Sequence, residues 1–119
     1  MIARACVIIL LAAAAAGPVA AQSDLAVQVI KIGAWAHVLA ERCPTLEVSW
    51  SRYGSMMRQA GLSPDDVSPT GKHGKLYGAF LSEALAETRS SSQTASCASG
   101  RALYGPAGKN MPGLLVPKG

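Results

Sequence analysis

Paired metal ligands are missing from this 119-residue sequence, which contains two histidines and three cysteines. Structural zinc sites usually take their ligands from short-spaced pairs such as C-x₂₋₄-C or H-x₃₋₅-H. His37 and His73 stand far apart, and no two cysteines are close together. Met56 and Met57 are more simply explained as core residues than as ligands of a soft metal. The sequence therefore predicts no metal site and no cofactor.

Acidic residues are also scarce, with seven Asp and Glu against eleven Lys and Arg, and long runs of one charge are absent. The formal net charge is only +4. Single, scattered basic residues favour solubility and weak attraction to anionic surfaces, whereas nucleic-acid binding requires a basic cluster. We therefore predict no nucleic-acid partner.

Phosphate-binding and catalytic motifs are likewise missing. The basic loop of residues 70–74 departs from the P-loop pattern G-x-x-x-x-G-K-[ST], because Asp66 takes the place of the first glycine and His73 that of the hydroxyl. The nucleophile motif G-x-S-x-G does not occur. Glu83 and Glu87, one helical turn apart, are explained by a solvated helix edge. We predict no catalytic residues and no enzyme activity.

The N-terminus has the three parts of a secretory signal peptide. One positive charge, Arg4, precedes an apolar, alanine-rich stretch over residues 6–16, and Gly17-Pro18 interrupts it. Val19 and Ala21 fit a small-residue cleavage site, so residues 1–21 are expected to be removed. The apolar stretch is too short for a membrane span, which needs about 20 residues. The alanine-rich composition suggests a bacterial source and a periplasmic or secreted protein without a transmembrane anchor after cleavage.

Cleavage would leave two cysteines, Cys43 and Cys97, which allow a single intramolecular pairing. Disulfides form in oxidising compartments. Closing a loop of roughly 55 residues stabilises a fold by up to about 4 kcal/mol. The sequence therefore predicts a Cys43–Cys97 disulfide in a domain whose size alone makes its core marginal.

Apolar periodicity predicts helices along most of the mature chain. The first runs from Ser23 or Asp24 to Arg42, where Pro44 stops it. A short helical turn is expected at residues 63–66, and further helices at about 75–89 and 94–104. The apolar face of the first helix is formed by Leu25, Val29, Ile32, Ala36, Leu39 and Cys43.

The segment from Thr45 to Ala60 fits two patterns at its start. Leu46, Val48 and Trp50 alternate with polar residues, as in a strand. A longer helical pattern, which favours a helix ending at Gly61, places the following residues on one face: Leu46, Trp50, Tyr53, Met57 and Ala60.

These patterns predict an all-α fold, a small bundle of three to four helices held by the disulfide. We divide the chain into a signal peptide (residues 1–21), a helical domain (22–104) and an extended tail (105–119). The tail contains three prolines and four glycines, so we expect it to be irregular.

Apolar residues outside the main helix faces are the candidate partner contacts. Trp35 lies off the apolar stripe of the first helix, where it either widens the core face or forms an exposed anchor. Leu114, Leu115 and Val116 form an apolar run in the tail, which must dock on its own domain, dock on a partner or stay exposed.

Small size, a disulfide and the lack of catalytic motifs favour a small exported, non-enzymatic binding or accessory protein of the bacterial cell envelope. The alternative is a periplasmic stress chaperone that holds unfolded clients. In layout alone, as an exported helical chain with one cysteine pair, the sequence resembles small periplasmic acid-stress chaperones, but it shares no motif with them. An enzyme with an unrecognised site is the least favoured possibility.

Overall fold

A computed structural model describes residues 24–119, so the predicted signal peptide lies outside the described residues. Most of the described chain is helical, as the sequence predicted. The elements, in chain order, are α1 (residues 24–42), β1 (Leu46–Val48), α2 (Trp50–Gln59), a 3₁₀ helix (Pro64–Val67), α3 (Gly74–Thr88), α4 (Gln93–Tyr104) and β2 (Leu115–Pro117).

Helix α1 is buried on several sides, whereas the sequence predicted a single apolar face. Successive helical residues turn by about 100°, so Ile30, Ala36, Val38 and Leu39, all buried, cover nearly the whole circumference. The middle of α1 is therefore surrounded by other elements, while polar residues such as Lys31 and Glu41 stay exposed. Leu25, placed on the predicted apolar face, is instead exposed.

The predicted Cys43–Cys97 disulfide is present. Cys43 directly follows α1 and is completely buried, whereas Cys97 lies in the second turn of α4. The two α-carbons are 5.0 Å apart, within the range that a disulfide spans. The bond therefore fixes the C-terminal end of α1, the central helix of the fold, against α4, the last helix of the chain.

A two-stranded antiparallel sheet corrects both the all-α prediction and the prediction of an irregular tail. β1 pairs with β2 in the register Leu46↔Pro117, Glu47↔Val116 and Val48↔Leu115. The physical reason is that the tail contains a short apolar run able to pair with the alternating segment after Pro44. Leu46 and Leu115 then pack on α4 at Gly100, where a side chain would crowd both leucines.

Helix α2 begins only at Trp50, after the strand. Ser49 caps it, and the Ser49 hydroxyl oxygen accepts a hydrogen bond from the Arg52 backbone N–H at 3.4 Å. The predicted stop at Gly61 is confirmed, since this glycine adopts φ +74° just after the helix. The inward residues of α2 are Tyr53, Met56 and Met57.

Candidate functional site

The structure separates the predicted contact residues into two groups. Leu114 and Leu115 are completely buried in the core, so they hold the tail to its own domain and are not accessible to a partner. Trp35 and Val116 are half-buried, and Trp35 packs against the core cluster. Trp35 therefore packs on the core with part of its surface, while the rest stays accessible.

The most exposed large apolar side chain in the described part of the chain is Trp50, with 58% of its surface accessible. The helical pattern had placed Trp50 in the core together with Leu46. For Trp50 this assignment is wrong, because α2 begins only at Trp50; Leu46 is in the core but reaches it from β1. The alternation of Leu46, Val48 and Trp50 was the sequence feature that pointed to a strand start.

Trp50 borders a groove between α1 and β1, which we call the Trp50 groove. Its volume is about 410 Å³. The Trp50 ring lies 6.0 Å from the His37 ring and 6.3 Å from the Tyr53 ring, centroid to centroid, the latter edge-on. The contact with His37 places the indole beside α1, while 58% of the Trp50 surface stays accessible. The groove is lined by His37, Ala40, Glu41, Pro44, Leu46, Glu47, Val48, Trp50 and Lys118.

The polar side chains of the Trp50 groove come from three elements. His37 Nε2 lies 3.0 Å from Glu41 Oε1, one turn further along α1. Glu47 comes from β1, and Lys118 follows β2. The groove thus combines an apolar aromatic anchor with charged groups of both signs at its edge, the composition of a contact surface.

The metal ligands and the carboxylate pair considered from the sequence form no site in the described residues. Among residues 24–119, no three His, Cys, Asp or Glu side chains cluster closely enough to hold a metal ion. Glu83 and Glu87 are both exposed on α3. In the same described range, no helix is long and apolar enough to cross a membrane.

The chain matches no protein-family model, no curated protein and no solved structure.

Proposed function

We propose that this protein is a small exported, non-enzymatic binding or accessory protein of the bacterial cell envelope, and that it contacts a protein partner through the Trp50 groove. The observation that carries the proposal is the exposure of Trp50. Tryptophan is enriched among the few residues that dominate binding energy at protein interfaces. A tryptophan exposed to 58% of its surface in the free protein is available for this role.

The surroundings of Trp50 support a defined contact. The indole is held by ring contacts to His37 and Tyr53, so little conformational freedom would be lost on binding. Glu41, Glu47 and Lys118 provide charged groups at the edge of the groove. Charges in such positions select a partner and orient it, while the aromatic anchor supplies most of the affinity.

Two features support export. Residues 1–21 have the composition of a secretory signal. The Cys43–Cys97 disulfide is the state expected in an oxidising compartment. A disulfide also stabilises a small domain in a compartment that lacks the glutathione and thioredoxin systems of the cytosol.

The proposal is tested by purifying the tagged protein from the producing cell together with whatever it binds, and comparing it with Trp50→Ala. Leu85→Ala is the matched control, because Leu85 is another exposed apolar residue, 43% accessible, on α3. We expect one reproducible protein partner, lost with Trp50→Ala and retained with Leu85→Ala. Loss of a truncated interface anchor costs about 2 kcal/mol or more, which is roughly a thirtyfold loss of affinity.

Recovery of many unrelated unfolded proteins, equally well with and without Trp50, would instead support the chaperone alternative. A single partner that both variants retain would show that the contact lies elsewhere on the molecule.

A further inference from the structure

A second concave surface, separate from the Trp50 groove, lies between α1 and the residues around the end of α4. We call it the Trp35 cleft, and its volume is about 500 Å³. Its α1 residues include Lys31 and Trp35, whereas the Trp50 groove takes His37 and Glu41 from the same helix. At 100° per residue, these two pairs lie about 120° apart around the axis of α1, on different faces of the helix. The two surfaces are therefore independent.

The charge of the Trp35 cleft has a single sign. Among its described lining residues, the charged side chains are Lys31 and Lys109, and none is acidic. Both lysines are exposed. The Lys31 ammonium has no carboxylate partner in residues 24–119 and lies 5.7 Å from the centre of the Phe80 ring. Two uncompensated ammonium groups on one small cleft favour an anionic ligand.

The interior of the cleft is apolar. Ile32, Trp35 and Leu103 form this part of the lining, and a cleft of this size with apolar walls and a few polar groups is typical of a small-molecule site. The Trp35 indole Nε1 is buried and has no hydrogen-bond partner among the described residues. A buried donor without a partner costs free energy.

Neutral polar groups complete the wall next to Lys109. Tyr104 is buried, and this burial raises the pKa of its hydroxyl above the ordinary value, while the nearby Asn110 side chain lowers that pKa by a smaller amount. Gln28 and Asn110 supply amide groups at the cleft. These groups can hydrogen-bond a polar head without adding negative charge.

We propose that the Trp35 cleft binds a free amphiphilic anion, a small molecule with one carboxylate-like head between Lys31 and Lys109 and an apolar body against Ile32, Trp35 and Leu103. This site does not depend on the protein contact proposed for the Trp50 groove, because the two surfaces share no residue. The failure of one proposal would leave the other untouched.

The test is a calorimetric titration of the full mature protein with decanoate, kept below the concentration at which it forms micelles, and with decanol as the uncharged probe. We expect saturable binding of decanoate with one site per chain and much weaker binding of decanol. Lys31→Gln and Lys109→Gln should each lower the affinity for decanoate by up to about fivefold, since exposed ion pairs contribute modestly. Lys72→Gln and Lys75→Gln, which remove the same charge at exposed positions outside both surfaces, should leave it unchanged.

Nuclear magnetic resonance gives an independent readout, because the sequence contains two tryptophans and hence two indole N–H signals. Decanoate should shift the Trp35 indole signal and leave the Trp50 signal in place. Equal affinity for decanol and decanoate, or equal effects of the four lysine substitutions, would overturn the proposal. Binding to vesicles of phosphatidylglycerol without binding to monomeric decanoate would also overturn it, since the cleft would then contact a membrane surface.

Discussion

The ring of Tyr53 occupies the space beside the α-carbon of Gly33 that any side chain at position 33 would fill. The Tyr53 hydroxyl reaches past this glycine and donates a hydrogen bond to the Val29 carbonyl oxygen at 3.3 Å. This contact fixes α2 against the central helix α1. Because Trp50 starts α2 and contacts the Tyr53 ring, the same packing also positions the exposed indole.

Gly33→Ala should therefore destabilise the protein, although alanine is the better helix former. Overpacking at the upper end of its usual range costs about 3 kcal/mol, which exceeds the gain of about 1 kcal/mol in helix propensity. We expect a net loss of about 2 kcal/mol in the free energy of unfolding, measured by urea denaturation. In a Tyr53→Leu background the same change should cost less, because the ring is gone. Equal costs in both backgrounds would show that the ring does not cause the effect.

Removal of the disulfide should lower the free energy of unfolding substantially. Cys43 and Cys97 are 54 residues apart, and a loop of this length corresponds to a stabilisation of up to about 4 kcal/mol. The double variant Cys43→Ala/Cys97→Ala, compared with the oxidised protein by urea denaturation, measures the effect. An unchanged unfolding midpoint would contradict the role we assign to the bond.

The tail should behave as part of the folded domain. Leu114 and Leu115 are completely buried, and replacing a buried leucine by alanine costs about 2–5 kcal/mol. Each Leu→Ala variant should show a loss of this size in thermal or urea unfolding. Val116→Ala is the matched control, because Val116 directly follows the two leucines, is only half-buried and should lose much less. Equal, small losses at all three positions would mean that the tail does not dock.

Three tyrosines should make the fold sensitive to alkali. Burial raises the pKa of Tyr53, Tyr77 and Tyr104 above the ordinary value of 10.0. The pKa of Tyr53 is raised further by its electrostatic interaction with Tyr77, and the pKa of Tyr77 by its interaction with Glu41. A group whose pKa is higher in the folded state contributes its full stability below its unfolded pKa, and that stability falls as the pH rises above it.

We therefore expect stability to decline above a pH of about 10, where unfolded tyrosines ionise. Tyrosinate absorbance should rise together with the loss of helical circular dichroism. The decline should be shallower in Tyr53→Phe than in the unsubstituted protein. Tyrosinate absorbance that develops near pH 10 while the helices remain intact would show that the rings ionise without unfolding.

Local patterns were sufficient to predict most of the fold. The helix stop before Pro44, the glycine stop at Gly61 and the Cys43–Cys97 pairing each depend on residues whose chemistry acts at short range or allows one solution. The sheet depends on pairing between Leu46–Val48 and Leu115–Pro117, segments almost seventy residues apart. Neither segment forms a strand alone, so local periodicity favoured a helix for the first and irregular structure for the second.

The candidate site was harder to predict for the same reason. Trp50 lies on the apolar face of a helix only if that helix begins near Leu46. In the structure Leu46–Val48 form β1, so the helix begins at Trp50 itself. Trp35 lies off the main apolar stripe in the sequence, but the cleft that it lines also requires Leu103 and Lys109, which the fold brings to α1 from the end of the chain. Such long-range neighbours leave no periodic pattern in the sequence.

Site-specific photo-crosslinking in the intact producing cell tests the central claim, contact with a protein partner through the Trp50 groove, most directly. A photoreactive phenylalanine analogue, which keeps a large aromatic side chain at the position, replaces Trp50 in one sample and the exposed apolar residue Leu85 in the other. We predict one discrete adduct of defined mass from position 50 and none from position 85. The same adduct from both positions, a broad smear of adducts from both, or no adduct from position 50 would contradict the account.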